Sequence, residues 1–414
     1  MGSRGALDEG GRRAQHVDPV PSSLRDVADV RRVRRLISVR ALPTPLLLLW
    51  LAGCNAPPAP GPAPSASAPA ASAEIPLPPA PLPTTALSDR ELGRLSRDVS
   101  ESSGDFPSDN LVSNETSYLH PIDALPRGGA YVGVGPEQSF AYLAVVEPEI
   151  AWIIDIRRDN RTLHLVYKTA FERAPTRLAF VATLLSRKVG DGGLPESATV
   201  AEVLGAAGSL PKDDPKVLRE AVVERAAALG LELDAHDLAH VDAIVRGFAT
   251  EGLKQRYSMK GSSRTYPTLG ELLAAGDLEG RARGFLASEA SYQRVRRLQA
   301  ENRVIPVVGD LAGSGAMPRI AAELSRRKLP VSLLYTSNVE QYLMESPKTW
   351  AAWVRNVGAL PWAADGKILR VYFDQGRKHP SQAKGHRTVS LLFDAAGFVE
   401  RGARAKSYWA VVTP

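Results

Sequence analysis

One stretch of the chain, residues 128–155, constrains the fold more than any other, because it reads as strand, glycine turn, helix and strand in succession. Its first segment, residues 130–134, is short, apolar and rich in β-forming side chains, and Gly133 and Gly135 then interrupt it. We predict a strand there, followed by a helix over residues 138–146. Such a unit is the building block of a parallel sheet covered by helices.

The end of this stretch carries an acidic residue where a nucleotide-type ligand would need one. Residues 150–156 form an almost continuous apolar run, as expected for a strand buried on both faces of a parallel sheet. Asp155 lies about 20 residues after the glycine turn, the spacing at which an acid binds ribose hydroxyls. The turn lacks the third glycine of the dinucleotide-binding fingerprint, so an ordinary tight α/β turn is the alternative interpretation.

The rest of the chain continues the alternation of strands and helices. Helical patterns occupy residues 318–328 and 349–360. Apolar, β-prone runs predict further strands at residues 304–308, 331–335, 366–373, 388–393 (with Phe398) and 408–412. This order predicts an α/β fold with a doubly wound, mostly parallel sheet. Because no helical pattern separates the last two runs, we expect an antiparallel edge at the carboxyl-terminal end.

Between the second and third predicted strands, residues 189–302 show helical spacing and no clear strand, which predicts a large helical insertion after the second strand. The insertion contains His236 and His240, whose spacing can place two ligands on one metal ion. The sequence shows neither a third ligand nor the glutamate of a zinc-protease helix. Surface histidines on an amphipathic helix are therefore the preferred interpretation, and no metal site is predicted.

Glycine and polar residues follow successive predicted strands. They are Gly133, Gly135, Gln138, Asp155, Asp310 and Asn338. Because ligands of open α/β sheets bind beyond the carboxyl ends of the strands, we expect these residues to converge on one binding site.

A long polar segment, residues 101–125, precedes the glycine strand and includes Asp105 and Glu115 among its hydrogen-bond acceptors. Since it leads directly into that strand, it could lie over the strand's carboxyl end as a lid or substrate-contacting segment. A solvent-exposed loop built from Asx turns is the alternative.

The amino-terminal region has the layout of an export signal. An arginine cluster at residues 31–35 precedes an apolar run, residues 41–51, that is too short to span a bilayer as a stable helix. The run leads into a Leu-Ala-Gly-Cys sequence that resembles the bacterial lipobox and ends at Cys54, the chain's one cysteine. We expect residues 1–54 to be the signal region, with lipidation at Cys54. A start near Val33 would give a signal of conventional length.

The segment that follows the lipobox, residues 55–86, is almost entirely proline, alanine and serine, which predicts a disordered tether to a folded domain at residues 87–414. Asn55 after the cysteine resembles the signal for outer-membrane sorting. The formal net charge is +6, with much of that net charge in the first forty residues, and no basic run is interleaved with aromatics. Nucleic acid is therefore not an expected partner.

Residues 128–156 and 303–414 together resemble the class I S-adenosylmethionine-dependent methyltransferases, and specifically a group of uncharacterised bacterial proteins of that fold, some of them lipoproteins. The resemblance equates the glycine turn with the family's first motif and Asp155 with its ribose-binding acid. Asp310 corresponds to the position beside the adenine. Residues 337–343 correspond to the segment where substrate and methyl donor meet.

The resemblance implies a bacterial lipoprotein whose methyltransferase-like domain binds S-adenosylmethionine or a related nucleoside and transfers a methyl group to an unknown acceptor. Asp105, Glu115 or Glu340 would then take the substrate proton. Cys54 would make the membrane a partner, beside an unknown small molecule or protein.

S-adenosylmethionine is a cytoplasmic metabolite, whereas a lipid-anchored protein lies in the cell envelope. Three outcomes therefore stay open. The protein is exported with a bound ligand, or it is a non-catalytic, surface-anchored binding or interaction protein that keeps the fold. In the third outcome it is a cytoplasmic enzyme and the signal interpretation is wrong.

Overall fold

The structure, a computed structural model, describes residues 86–190 and 193–413. These residues belong to the compact unit Ile75–Pro414. The predicted signal region, with its lipobox and Cys54, and all but the last residue of the predicted tether lie outside the described residues. Within the described ranges, no helix is both long and apolar enough to cross a membrane.

A six-stranded sheet organises the described residues. Its strands are β1 (Ala130–Gly133), β2 (Ile150–Asp155), β3 (Val304–Val308), β4 (Val331–Ser337), β5 (Trp362–Phe373) and β6 (Thr388–Asp394). They lie in the order β3-β2-β1-β4-β5-β6, and the neighbouring pairs are parallel except for the antiparallel pair β5 and β6. This is the strand order of a doubly wound nucleotide-binding sheet with its last strand reversed. The predicted α/β class, the mostly parallel sheet and an antiparallel edge are confirmed, but β5 and β6 form that edge, whereas the sequence places it between the last two predicted strands.

The other regular elements of the described residues are helices. Before β3 they are α1 (Asp89–Val99), α2 (Gln138–Val146), α3 (Arg158–Arg173), α4 (Arg177–Leu184), α5 (Val200–Ser209), α6 (Pro215–Ala228), α7 (Ala235–Glu251), α8 (Leu269–Leu273) and α9 (Glu289–Ala300). After β3 they are α10 (Ala316–Arg327), α11 (Val339–Leu343), α12 (Pro347–Gly358), α13 (Phe398–Arg404) and α14 (Tyr408–Val412). The described elements between β2 and β3 are all helical, as the spacing predicts.

The sheet is covered on both faces at the central strand β1 and also at the edge strand β3. Every residue of β1 and of β3 is buried, and successive strand residues point to opposite faces. On one side, an aromatic cluster joins α2 to the inserted helices. Phe140 of α2 meets Phe171 of α3 edge-on at 5.0 Å between ring centroids, and Phe171 stacks on Tyr292 of α9, within the insertion, at 5.6 Å. Burial of such large rings is a main source of folding energy, so the insertion and the sheet share one core.

The prediction for the end of the chain is partly wrong. Residues 388–393 do form a strand, but Phe398 begins α13 and the run at residues 408–412 is the helix α14. The Ser407 side chain caps α14 by accepting the Ala410 N–H. Tyr408 and Val412 are buried one helical turn apart. Capping and tertiary packing here override the β-propensity of the side chains.

Residues 100–115, which we call the strap, cross the carboxyl ends of β2 and β3. The Glu101 N–H donates to the Val308 carbonyl at 3.0 Å, and the Gly104 N–H donates to the Ile156 carbonyl at 2.8 Å. Ser258 binds the strap through its own N–H, which donates to the Asp109 carboxylate at 3.0 Å. The strap is therefore anchored at the ends of β2 and β3, next to the end of β1, over which the sequence could place it.

Candidate functional site

A cavity of about 350 Å³ lies at the carboxyl ends of the parallel strands, under the strap. Its lining comes from the ends of β1 to β5, from the strap, and from the loop at residues 257–266. In an open sheet of this order the chain reverses direction between β1 and β4, and ligands bind in the crevice at that point. The size falls within the usual range for small-molecule sites, about 300–1,000 Å³.

The cavity brings together most of the residues that the sequence predicts for the site. Those that line it are Glu115, Gly135, Gln138, Asp155, Asp310 and Asn338. Gly133 is the last residue of β1 and does not line the cavity. A Cβ at this position would collide with the Tyr131 side chain, so its glycine serves packing behind the site. Asp105 is exposed on the strap and does not line the cavity either.

The glycine turn is held by a buried histidine. Gly135 has a φ angle of 88°, a backbone conformation that residues with a Cβ atom rarely adopt. Its carbonyl accepts a hydrogen bond from His164 Nε2 on α3 at 3.0 Å. Burial lowers the pKa of His164 to about 4, so the ring is neutral near pH 7 and its Nε2–H is the donor. His164 is therefore a positioning residue for the turn.

Asp155 meets an arginine within the cavity. The Arg157 guanidinium donates from Nε to Oδ1 at 3.1 Å and from Nη2 to Oδ2 at 3.0 Å, and the Arg157 backbone N–H also donates to Oδ1 at 2.9 Å. Arg157 Nη1 donates to the Ser108 carbonyl of the strap. A carboxylate offers about four acceptor positions, so one on Oδ2 stays available to a ligand.

Glu115 is fully buried among the lining residues. Its carboxyl accepts hydrogen bonds from Tyr335 Oη at 2.6 Å and from Ser337 Oγ, and Gln138 Nε2 donates to Tyr335 Oη at 2.5 Å. Burial raises the pKa of Glu115 to about 7, against the lowering effect of the two hydroxyl donors. The group therefore exchanges its proton near neutral pH, as a general acid or base requires.

A second buried carboxyl lies at the start of α2. Glu137 is 3% exposed and accepts the Ser113 N–H at 3.0 Å. Burial raises its pKa to about 7 as well, and the neighbouring Glu115 adds to the shift. Neither Glu137 nor Tyr335 stands out in the sequence, because a glutamate at a helix start and a tyrosine in an apolar strand are both common.

Asp310 begins a glycine-rich loop between β3 and α10 that a strap carboxylate fills. Glu101 Oε1 accepts the Asp310 N–H at 2.7 Å, and Oε2 accepts the Ala316 N–H at 3.3 Å. A Cβ on Gly313 or Gly315 would collide with this carboxylate. The Asp310 side chain itself accepts the Ala312 N–H at 2.8 Å. Glu101 thus occupies the amino-terminal end of α10, where an anion is favoured.

Aromatic side chains form part of the cavity wall. Phe106 of the strap meets Tyr342 of α11 edge-on at 5.2 Å, and Tyr257 meets Tyr266 at 4.8 Å. All four rings line the cavity. They offer apolar faces for a planar ligand group beside the polar strand ends.

Glu340 does not belong to this site. It is fully buried on α11, where Arg370 Nε donates to Oε2 at 2.5 Å and Trp353 Nε1 donates to Oε1 at 2.9 Å. It does not line the cavity. The prediction of Glu340 as a base in the site is therefore corrected, because its carboxylate is committed to a buried ion pair.

The two insertion histidines are accounted for by protein contacts. His236 Nε2 lies 2.8 Å from the Asp159 carboxylate, and His240 Nδ1 forms a hydrogen bond with Thr162. In the part of the chain that the structure describes, no group of three or more histidine, cysteine or acidic side chains is placed to bind a metal ion.

Comparison with known proteins gives one family and no curated relative. No curated protein matches the chain significantly. A family model described as "Domain of unknown function (DUF7790)" matches residues 111–191 and 251–406, more than half of the chain. The matched segments include the six predicted residues that line the cavity, and the unmatched interval holds α5, α6 and nearly all of α7. The chain belongs to the DUF7790 family, a family of unknown function.

Proposed function

We propose that this protein is a lipoprotein whose folded domain binds S-adenosylmethionine or a related nucleoside in the strand-end cavity and transfers a methyl group to an acceptor. The observation that carries the proposal is the convergence of Gly135, Asp155, Asp310 and Asn338 on one cavity at the switch point of a Rossmann-type sheet. We also propose that the fold is that of the class I methyltransferases.

The residues present fit an adenosyl group. The free acceptor position on Asp155 suits a ribose hydroxyl, and the aromatic wall suits the adenine. Glu137 is buried at the start of α2, where a dinucleotide would place its pyrophosphate, and Glu115 of the strap is close enough to raise the pKa of Glu137. Carboxyls at that position disfavour a phosphate, so a nucleoside without phosphates fits better.

Methyl transfer would depend mainly on alignment of the acceptor with the donor's sulfonium carbon. The bound donor would supply the methyl group. Of the three bases predicted from the sequence, Glu115 alone lines the cavity. With a pKa of about 7, Glu115 would take the proton that the methyl acceptor releases, while Tyr335 and Ser337 hold the Glu115 carboxyl in place.

The second candidate function is non-catalytic binding, and a specific observation favours it. Asp155 is already paired with Arg157, and Glu115 already accepts two hydroxyl hydrogen bonds. Catalytic groups that are satisfied within the protein would suit a surface-anchored binding or interaction protein that keeps the fold.

Calorimetric titration of the purified protein with S-adenosylmethionine and S-adenosylhomocysteine tests the proposal. We expect both to bind with a Kd at or below about 1 mM. Absence of binding at millimolar ligand would rule out the enzyme. Binding without transfer of a labelled methyl group to any component of a cell-envelope extract would favour the binding protein.

The proposed location is the cell envelope, with the lipid anchor at Cys54 in the outer membrane. The support is the lipobox-like sequence and the tether composition, both outside the described residues. Radioactive palmitate should label the wild-type protein and not the Cys54→Ala variant. Equal labelling of the two proteins would contradict the proposed lipid anchor at Cys54 and favour a cytoplasmic enzyme.

A further inference from the structure

We propose that the protein has a second ligand site, which binds a small carboxylate with an apolar body, between the end of the sheet and the carboxyl-terminal helices. A pocket of about 330 Å³ lies there, and it shares no lining residue with the strand-end cavity. Its lining includes Arg370 of β5, Phe393 of β6, Phe398 and Arg401 of α13, and Val411 of α14.

The Arg370 guanidinium is the polar centre of this pocket. Arg370 is 2% exposed, and its Cζ lies 5.2 Å from the Phe393 ring centroid and 4.7 Å from that of Phe398. Because both rings line the pocket, the guanidinium lies in the pocket wall. Its Nε is bound to Glu340, but its buried Nη2 has no hydrogen-bond partner. Nη2 has almost no accessible surface, so a ligand oxygen would reach it only after a small shift of the side chains around it. A buried donor without an acceptor is unfavourable, so an oxygen that reached Nη2 would be stabilised there.

The charges around the pocket match a single negative charge. Glu340 balances Arg370, and Arg404 pairs with Glu400. Arg401 donates only to the carbonyls of Ala396 and Asp394, and it forms no ion pair among the described residues. The Asp394 carboxylate, whose pKa is lowered by Lys367 and by Arg401, is shared between these two cations. Together the three side chains leave one surplus positive charge at the exposed side of the pocket.

The rest of the lining decides the class of the anion. Phe393, Phe398 and Val411 offer apolar surface, which favours a ligand with an aryl or short acyl group. One free donor and one surplus positive charge suit a carboxylate monoanion. A phosphate dianion would leave negative charge unbalanced in a largely apolar pocket.

Calorimetric titration of the purified protein with sodium benzoate tests the site. We expect binding with a Kd at or below about 1 mM. Ala405→Trp, which fills the pocket, should weaken binding at least about tenfold. Arg401→Gln should weaken it several-fold. Arg355→Gln, an exposed arginine on α12 outside the pocket, is the matched control and should leave the affinity unchanged.

Three results would overturn the proposal. The first is no binding of benzoate at about 10 mM. The second is tighter binding of phenyl phosphate than of benzoate, which would exclude the carboxylate preference. The third is wild-type affinity in Ala405→Trp or, where circular dichroism shows that this variant does not fold, wild-type affinity in Arg401→Gln.

Discussion

Asp155 and Arg157 form a two-pronged ion pair inside the strand-end cavity, with Nε–Oδ1 and Nη2–Oδ2 distances of 3.1 and 3.0 Å. Both side chains are less than a tenth exposed. Arg157 also binds the Ser108 carbonyl of the strap, so the pair ties the acid at the end of β2 to the segment that covers the cavity. The proposed ribose-binding acid is therefore fixed in position without a ligand.

We expect Asp155→Asn to weaken the affinity for S-adenosylhomocysteine at least about tenfold, because a hydrogen bond to a charged group contributes roughly 1.5–3 kcal/mol. Asparagine keeps one acceptor for Arg157, so the fold should persist. Calorimetry measures the change. Asp98→Asn, at an exposed carboxylate on α1, is the control. Equal affinity in wild type and Asp155→Asn would place the ribose elsewhere.

The stability of the protein should decrease as the pH rises through the range in which Glu115 ionises. Burial raises the pKa of this carboxyl from its ordinary 4.5 to about 7. Between these values the native state binds a proton that the unfolded chain has released, so the free energy of unfolding falls with rising pH. Glu115→Gln should reduce that slope by up to about 1.4 kcal/mol per pH unit.

Urea unfolding at a series of pH values measures this slope. Glu224→Gln, at an exposed glutamate of α6, is the matched control and should leave the slope unchanged. A Glu115→Gln protein with the wild-type slope would show that Glu115 is ionised in the native state over this range.

Glu340 and Arg370 should act as a structural pair. Glu340→Ala leaves a buried guanidinium uncompensated and should reduce the free energy of unfolding by about 3–5 kcal/mol. The double replacement of Glu340 by Leu and Arg370 by Met should recover much of that loss. Denaturant unfolding compares the three proteins. If the Glu340→Ala protein is stable but no longer binds S-adenosylhomocysteine, Glu340 takes part in ligand binding and the structural role is contradicted.

Glu101 should stabilise the loop between β3 and α10. Glu101→Ala removes the acceptor for the Asp310 and Ala316 N–H groups and should reduce the free energy of unfolding by about 1–3 kcal/mol. Amide hydrogen exchange should accelerate at residues 309–316 and stay unchanged in α7. Unchanged exchange at residues 309–316 would show that the carboxylate contributes nothing to the loop.

The sequence predicts the sheet well because its signals are local. A few neighbouring residues are enough to predict the glycine turn, the apolar run before Asp155 and the strand at residues 304–308. The sequence does not predict the helix α14, because its apolar residues also suit a strand. The Ser407 cap and the packing of Tyr408 decide between the two.

The site is less predictable than the fold, because its partners are distant in sequence. Glu115 meets Tyr335 across 220 positions, and no pattern in either segment indicates that contact. The same limit applies to Glu340, whose polar neighbourhood in the sequence suggests a site. Its partner Arg370, 30 positions away, makes it part of the core instead.

The structure of the protein crystallised with S-adenosylhomocysteine tests the central proposal most directly. We expect ligand density in the strand-end cavity, with a ribose hydroxyl within hydrogen-bond distance of Asp155 Oδ2 and the adenine beside Asp310. A ligand bound elsewhere, or a cavity that stays empty at saturating ligand, would contradict the proposal that this cavity is an adenosyl site.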